Sequence, residues 1–413
     1  MRILNISPYN FVKGGSDAYF ISQNALLRKY GIEVAEFCVA NKQNQESALQ
    51  RYFPRGINLE RPGMRDAFKF IYSLDAKKSI REAIRAFQPD LVHLHIYYGN
   101  FTSSILQVIK GEFGLPVVQT VHDYKVVCPV YSLTRNGNIC EECRVGHFTN
   151  ALKYRCNRGS LLRSAITVAE SYVSYWAGNI GSVDRLIAVS SFQGERLAAL
   201  GVPEEKIRVL LNFMDADRFT PRTHAPSKAR FLYFGRIEES KGVLDIIQAA
   251  SALPQYDFLF AGTGSASGML EKEVKKLGIR NVQILGFVGG DALHDLVRSC
   301  TATILVPFVY ENCPMSVLES FALGVPVIGS RMGGIPELVS NAENGIIVTP
   351  GDKSELVSAI RYLGESADTS FRFGENGRRK VETVFSGETH FWKMMDLYAE
   401  LGMKTPVQMG CQD

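Results

Sequence analysis

Apolar runs of three to six residues alternate along this chain with longer stretches in which apolar positions recur every three to four residues. In the first half the runs are Ile3–Ile6, Glu33–Phe37, Leu91–Leu94, Pro116–Val121 and Arg185–Val189. In the second they are Phe231–Phe234, Phe258–Ala261, Val282–Leu285, Thr303–Val306, Val325–Ile328 and Ile346–Val348. Short apolar strands interleaved with helix-period segments predict a doubly wound parallel sheet, and two such series predict two Rossmann-like α/β domains. The polar, proline-containing stretch from Phe219 to Ser227 reads as the linker between them. Such sheets bind ligands at the carboxyl ends of their strands, so a site between the two domains is expected.

Length and composition fit this picture. A chain of 413 residues exceeds one ordinary core and suits two domains of about 200 residues. An apolar share of 46% and a charged share of 21% are typical of a soluble globular enzyme, so disorder is not the default reading. No apolar run approaches the roughly 18 residues of a membrane span, and Met1–Pro8 reads as a strand rather than a signal peptide, so a cytoplasmic location is expected. The net charge of +4 hides an asymmetry. Residues 1–212 carry 26 Lys and Arg against 18 Asp and Glu, whereas 213–413 carry 20 against 24. A basic first half suits anionic lipid headgroups, a phosphate-bearing acceptor or nucleic acid, although a solvated surface would have the same composition. The stretch Asp66 to Phe87 sets Lys69, Lys77, Lys78, Arg81 and Arg85 among Phe68, Phe70, Ile71, Tyr72, Ile80 and Ile84. It reads either as a face for peripheral contact with an anionic membrane or as a solvated helix surface.

The candidate chemistry centres on Glu311-Asn312-Cys313-Pro314-Met315-Ser316-Val317-Leu318-Glu319, which follows a predicted strand and opens a predicted helix. Pro314 sits where a helix start tolerates a missing N–H, placing Glu311 in the loop and Glu319 about a turn inside the helix. The unpaired N–H groups of such a junction suit a diphosphate, and the two carboxylates can accept from sugar or ribose hydroxyls. Gly235-Arg236-Ile237-Glu238-Glu239-Ser240-Lys241-Gly242 lies upstream and Gly333-Gly334-Ile335-Pro336-Glu337 downstream. With these elements in this order and spacing, the chain resembles the retaining glycosyltransferases of family 4 (glycosyl transferases group 1), and matching pieces run from Gly14 to about Gly351.

The resemblance implies a GT-B fold, with two Rossmann-like domains facing a central cleft. Residues 1–215 would form an acceptor-binding domain with a cysteine-rich insert at 123–159, completed by a C-terminal crossover helix within 386–413. Residues 216–385 would bind the donor. The resemblance further implies transfer of a hexose-type sugar from a UDP- or GDP-sugar to a glycan or lipid-linked acceptor, with retention and without a catalytic metal, in surface polysaccharide or glycolipid assembly. Arg236 and Lys241 would meet the pyrophosphate, Glu311 a donor-sugar hydroxyl and Glu319 the ribose. Gly14, Gly15, Gly235, Asn312, Cys313, Pro314 and Met315 would line the donor, and Gly264 would allow close approach to base or ribose. His122, at a strand's carboxyl end, aligns with the family's histidine near the reacting sugar and is a candidate donor to a hydroxyl or to backbone. Ser190-Ser191 matches an acceptor-domain position or caps the following helix. Cys313 departs from the commoner family pattern, which leaves the donor sugar open.

Cys128, Cys140, Cys143 and Cys156 fall in a C-x11-C-x2-C-x12-C pattern, with His147 nearby. The C-x2-C pair is a good half-site for tetrahedral zinc, and a structural zinc, reduced thiols or a disulfide are all consistent with the spacing. Two competing readings follow. One is a sugar-nucleotide epimerase of the same fold, which would not need Arg236, Lys241, Glu311 and Glu319 in this form. The other is a non-catalytic, zinc-containing nucleic-acid or assembly module, which salt-sensitive RNA or DNA binding would reveal. On the main reading no nucleic-acid partner is expected.

Overall fold

A computed structural model of the chain describes residues 1–57 and 63–405. Residues 406–413, the end of the expected C-terminal segment, lie outside the described residues. The chain divides into two compact units. The first comprises residues 1–133, 140–211 and 391 onward, and the second residues 134–139 and 212–390.

The first unit is built on strands β1 (Arg2–Ile6), β2 (Glu33–Phe37), β3 (Leu91–Leu94) and β4 (Val117–Val121). The two-residue strands β5 (Thr134–Arg135) and β6 (Asn138–Ile139) form a separate antiparallel hairpin that clusters with the second unit, and β7 (Arg185–Ala188) and β8 (Ile207–Val209) complete the first unit's series. The sheet order is β2-β1-β3-β4-β7-β8, and every pairing in it is parallel. β1 sits between β2 and β3, so the winding reverses at the β1/β3 boundary. Ile3, Leu4 and Ile6 are fully buried there, as expected of a strand covered on both faces. β8 lay outside the apolar pattern because it is a three-residue edge strand with Arg208 at its centre.

The stretch Asp66 to Phe87 forms two helices, Met64–Ile71 and Leu74–Phe87. Ser73 restarts the chain as N-cap, its hydroxyl accepting from Ala76 N at 3.2 Å. Ile80 and Ile84 are buried with Ala76, Ala83 and Phe87, so they belong to the core and not to a membrane-facing surface. Phe68 stays exposed. Among the described residues no helix is long and apolar enough to cross a membrane.

The helix Gly387–Ala399 carries Phe391, Met394 and Tyr398, all fully buried. Phe391 stacks on Tyr30 with ring centroids 4.0 Å apart. From Phe391 onward the chain clusters with the first unit.

The second unit contains strands β9 (Arg230–Phe234), β10 (Asp257–Ala261), β11 (Val282–Gly286), β12 (Ala302–Leu305), β13 (Val327–Ser330) and β14 (Gly345–Val348). Their order is β11-β10-β9-β12-β13-β14, again all parallel, and the winding reverses between β9 and β12. The stretch Phe219–Ser227, expected as a linker, is internal to this unit. Its Arg222 is buried, donating through Nη1 to Cys300 O at 2.8 Å and through Nη2 to Ser370 O at 2.6 Å.

Both tryptophans, Trp176 and Trp392, belong to the first unit, so intrinsic fluorescence reports on that unit. Phe391→Ala removes a fully buried aromatic ring. It is expected to destabilise the first unit by about 3–5 kcal/mol in urea denaturation followed by tryptophan fluorescence. A loss below about 1 kcal/mol would mean that the helix is not part of this core.

Candidate active site

The carboxyl ends of β9 and β12 flank the winding reversal of the second unit, where α/β sheets bind ligands. After β9, Tyr233 donates its hydroxyl to Arg236 O at 2.5 Å, and Gly235 N donates to Ala261 O at 3.0 Å. The loop closes in a single 3-10 turn, Glu239–Lys241, and Gly242 then opens the helix Val243–Ala252. Gly242 has φ +76°, and a Cβ on it would lie 2.1 Å from Val306 O. Only glycine permits both the left-handed turn and this contact with the end of β12. Phe308 N also donates to Ser240 O at 3.0 Å, tying the two loops together.

This contact brings Lys241 and Glu311 into an ion pair. Their side chains are only 18% and 15% exposed, so the attraction is less screened than at an open surface. Arg236 is not part of that pair. It is 74% exposed and bonds to Glu238 Oε1 at 2.9 Å, leaving it able to turn toward an incoming anion. The main chain of Glu311 is held from below, its carbonyl accepting from Gly334 N at 2.7 Å.

The helix Met315–Ala322 begins directly after Pro314, its N-cap, whose missing N–H costs nothing at a helix start. Asn212 Nδ2 donates to Cys313 O at 3.0 Å and fixes the turn before it. Burial pushes the Cys313 thiol up to about 12, which keeps it a neutral thiol at physiological pH. Glu319 lies one turn inside the helix, half-buried, and burial pushes its carboxyl up to about 7. Gly264, beyond β10, is pressed against protein rather than open space. A Cβ there would lie 2.2 Å from Ile237 O, so the neighbouring main chain is enough to require glycine.

In the first unit, Gly14 precedes the helix Gly15–Lys29 in extended conformation, and a Cβ on it would meet nothing within 4 Å. The N–H groups of Lys13 and Gly14 donate to the carboxylate of Asp17, which burial pushes up to about 6. Ser190 is the N-cap of the helix Ser191–Ala199, its hydroxyl accepting from Gln193 N at 3.1 Å. His122 follows β4, and its Nε2 lies 3.0 Å from Nδ1 of His95, which follows β3. His93, His95 and His122 form a column of near-parallel rings, with centroids 4.8 Å and 5.3 Å apart. Sequence reasoning missed His95. The available signal was His93 and His95 at i and i+2 on one side of an otherwise apolar run.

The cysteine-rich segment folds within an apolar cluster in which Cys143 packs with Phe148, Ala151 and Val168, and Cys156 lies against it. Burial, reinforced by nearby Cys128, pushes the Cys143 thiol up to about 12. Among the described residues no group of three or more His, Cys, Asp or Glu is placed to hold a metal ion.

Comparison with known proteins agrees with this architecture. Residues 13–218 match the family model described as Glycosyltransferase Family 4, and residues 216–380 match that of Glycosyl transferases group 1. The chain belongs to the family 4 glycosyltransferases. This glycosyltransferase is 27% identical over 282 residues to a glycogen synthase of Mycobacterium tuberculosis, covering 66% of each chain. It is also 27% identical over 306 residues to an MMP alpha-(1->4)-mannosyltransferase of Mycolicibacterium hassiacum, covering 73% of this chain and 68% of the relative. The matched region thus spans about two thirds of these curated relatives. Among solved structures it shares the GT-B fold of a sucrose-phosphate synthase from Thermosynechococcus elongatus, with a TM-score of 0.74, 18% identity and coverage of 97% and 98% of the two chains. HepE of Anabaena, solved with UDP-glucose, superposes with a TM-score of 0.63 at 18% identity, covering 97% of this chain and all (100%) of that one.

The Glu319 proton is held more tightly in the folded protein, at about 7 against 4.5 for an ordinary glutamate. Its contribution to stability is therefore intact below pH 4.5 and is lost as pH rises through 7. Relative to Glu319→Gln, the ligand-free wild type should lose thermal stability over that interval. Parallel melting curves for the two proteins would show that burial does not perturb this carboxyl.

Proposed function

We propose that this glycosyltransferase moves a hexose-type sugar from a UDP- or GDP-sugar to a glycan or lipid-linked acceptor, in surface polysaccharide or glycolipid assembly. The observation that carries this reading is the pairing of Lys241 with Glu311 at the winding reversal of a parallel sheet, in the loop before the helix that carries Glu319 one turn inside its start. The UDP and UDP-glucose complexes of HepE and the sugar-transferring activities in the relatives' names support the same substrate class. Residues 216–385 would be the donor-binding domain. Residues 1–215 with the C-terminal helix would be the acceptor-binding domain.

A nucleotide-sugar donor presents two phosphates, a ribose diol and a sugar. On this reading the phosphates take Lys241 and Arg236 as cations, and the Lys241–Glu311 pair opens as the ligand's negative charge replaces the carboxylate. Glu311 is then released to accept from a sugar hydroxyl. The loop Asn312–Met315, with Gly235, lines the diphosphate and sugar, and the ionised form of Glu319 accepts from the ribose diol. As the glycosidic bond breaks, charge grows on the departing phosphate. Fixed cations aimed there favour the transition state over the ground state. The retaining outcome follows if the acceptor attacks from the face the phosphate leaves, with the phosphate oxygen taking the acceptor's proton. No catalytic metal is needed for this charge arrangement. His122 would stand beside the reacting sugar, with Gly14-Gly15 approaching the diphosphate.

Calorimetric titration with UDP, GDP and ADP is expected to show binding of one diphosphate to the wild type and none to Glu319→Ala. Failure of all three to bind would overturn the donor-site assignment. With the donor known, Lys241→Ala should lower turnover by about 10²- to 10³-fold, the usual cost of removing one group that stabilises transition-state charge. A change in KM alone would reduce Lys241 to a ground-state contact.

A further inference from the structure

We propose that residues 153–163 of the first unit dock on an anionic lipid bilayer, with Leu161 and Leu162 entering the headgroup layer and Lys153, Arg155, Arg158 and Arg163 meeting the lipid phosphates. The proposal does not depend on the nucleotide-sugar reading above. It adds a surface on which a lipid-linked acceptor would be met.

From Cys143 to Ala169 the chain holds five Lys and Arg and no Asp or Glu. Within that run, residues 153–163 break three local rules at once. Arg155 and Arg158 adopt left-handed backbone, with φ +49° and +54°, where a residue with a Cβ is disfavoured. The helix Leu161–Trp176 opens with Arg163 and no carboxylate in its first turn, so a cation stands at the positive end of the helix dipole. At the first two positions of the same helix, Leu161 and Leu162 are 55% and 70% exposed, side by side in water. Lys153, Arg155 and Arg158 are exposed as well. Local rules broken together in one short segment mark a functional position more often than a structural one.

The segment is nonetheless held firmly. Asn157 N donates to Ser164 Oγ at 3.0 Å and Asn157 Nδ2 to Thr167 Oγ1 at 2.8 Å, while Gly159 N donates to Arg155 O at 3.0 Å. Ser160 caps the helix, its hydroxyl accepting from Arg163 N at 3.3 Å. Beneath lies the apolar cluster of Cys143, Phe148, Ala151 and Val168, against which Leu152 and Cys156 pack. The inward residues of this ledge are therefore core, and the outward ones are leucine and cation. Lys153 Nζ lies 5.0 Å from the centre of the Tyr154 ring, and among the described residues Arg155, Arg158 and Arg163 form no ion pair. Cations alone would suit any polyanion. The paired leucines favour a bilayer, where they leave water for the interface while the long arginine and lysine stems let the charged heads reach phosphate. A nucleic-acid groove offers phosphates with no apolar layer behind them. The helices within Asp66 to Phe87, expected in this role from sequence, turn Ile80 and Ile84 into the core instead.

Flotation of the full-length protein with lipid vesicles tests this, using pure phosphatidylcholine and a mixture in which about one third of the lipid is phosphatidylglycerol. The wild type is expected to float with the anionic vesicles and not with the neutral ones. The double variants Arg155→Glu/Arg158→Glu and Leu161→Ser/Leu162→Ser should each lower the binding constant by about tenfold or more. Lys272→Glu/Lys275→Glu, on the exposed side of the second unit's helix Ser267–Leu277, should leave it unchanged. Every altered side chain is exposed, so the melting temperatures of all three variants should match the wild type. Absence of flotation with the anionic vesicles, an equal loss in the second-unit variant, or undiminished flotation of the leucine variant would overturn the proposal. Binding of a single-stranded RNA probe that the arginine variant loses and the leucine variant keeps, without vesicle binding by the wild type, would assign the cations to nucleic acid instead. If no diphosphate binds in the calorimetric titration, the donor reading fails and the flotation result stands on its own.

Discussion

Parallel strands cannot be joined by a tight turn, and that constraint underlies everything in this molecule. Each strand must be followed by a crossover, and where successive crossovers change sides the loops after two adjacent strands diverge and leave main-chain groups uncovered. In the second unit that place is the β9/β12 boundary, and the Gly235–Gly242 and Phe308–Pro314 loops lie there. In the first unit it is the β1/β3 boundary, with Gly14 after one strand and His95 after the other. Tight backbone contacts, such as Gly242 against Val306 O, convert this topological opening into a site with fixed side-chain positions.

Charge is arranged differently at the two places. In the second unit Lys241 and Glu311 neutralise each other at low exposure, while Glu319 holds its proton through burial. On the proposed function, the phosphates of a donor would meet Lys241, and its hydroxyls would meet the two carboxylates. In the first unit the histidine column is joined by amides, imidazoles and hydroxyls, with the carboxylate of Asp17 held by the N–H groups of Lys13 and Gly14. His93 Nδ1 meets Tyr398 Oη at 2.6 Å, and His93 Nε2 meets Thr120 Oγ1 at 2.8 Å. Such a network restricts which atom carries each proton.

Much of the fold was legible because buried parallel strands leave dense apolar runs, and the two series of runs were enough to reveal two α/β units. What escaped had specific causes. β8 is short and carries Arg208 at its centre, so it lacks an apolar run. Phe219–Ser227 looked like a linker because a buried arginine that satisfies main-chain carbonyls is spelled the same way as an exposed one. Ile80 and Ile84 were grouped with nearby lysines and arginines, whereas their helix turns them inward. Lys241, Glu311 and Glu319 stood out as candidate site residues from their spacing, and the structure brings Lys241 and Glu311 together. His95 did not stand out, because in the sequence it resembles an ordinary residue of a buried strand end.

The C-terminal helix has a consequence for the order in which the chain can mature during synthesis. All strands of the first unit's sheet have been made by Val209, yet Phe391, which stacks on Tyr30, and Tyr398, which bonds His93, are made only after the second unit's strands. The second unit's final strand ends at Val348, well before them. The half of the protein that leaves the ribosome first is therefore completed after the half that follows it. Until then its column of histidines lacks the hydroxyl that Tyr398 supplies at one end.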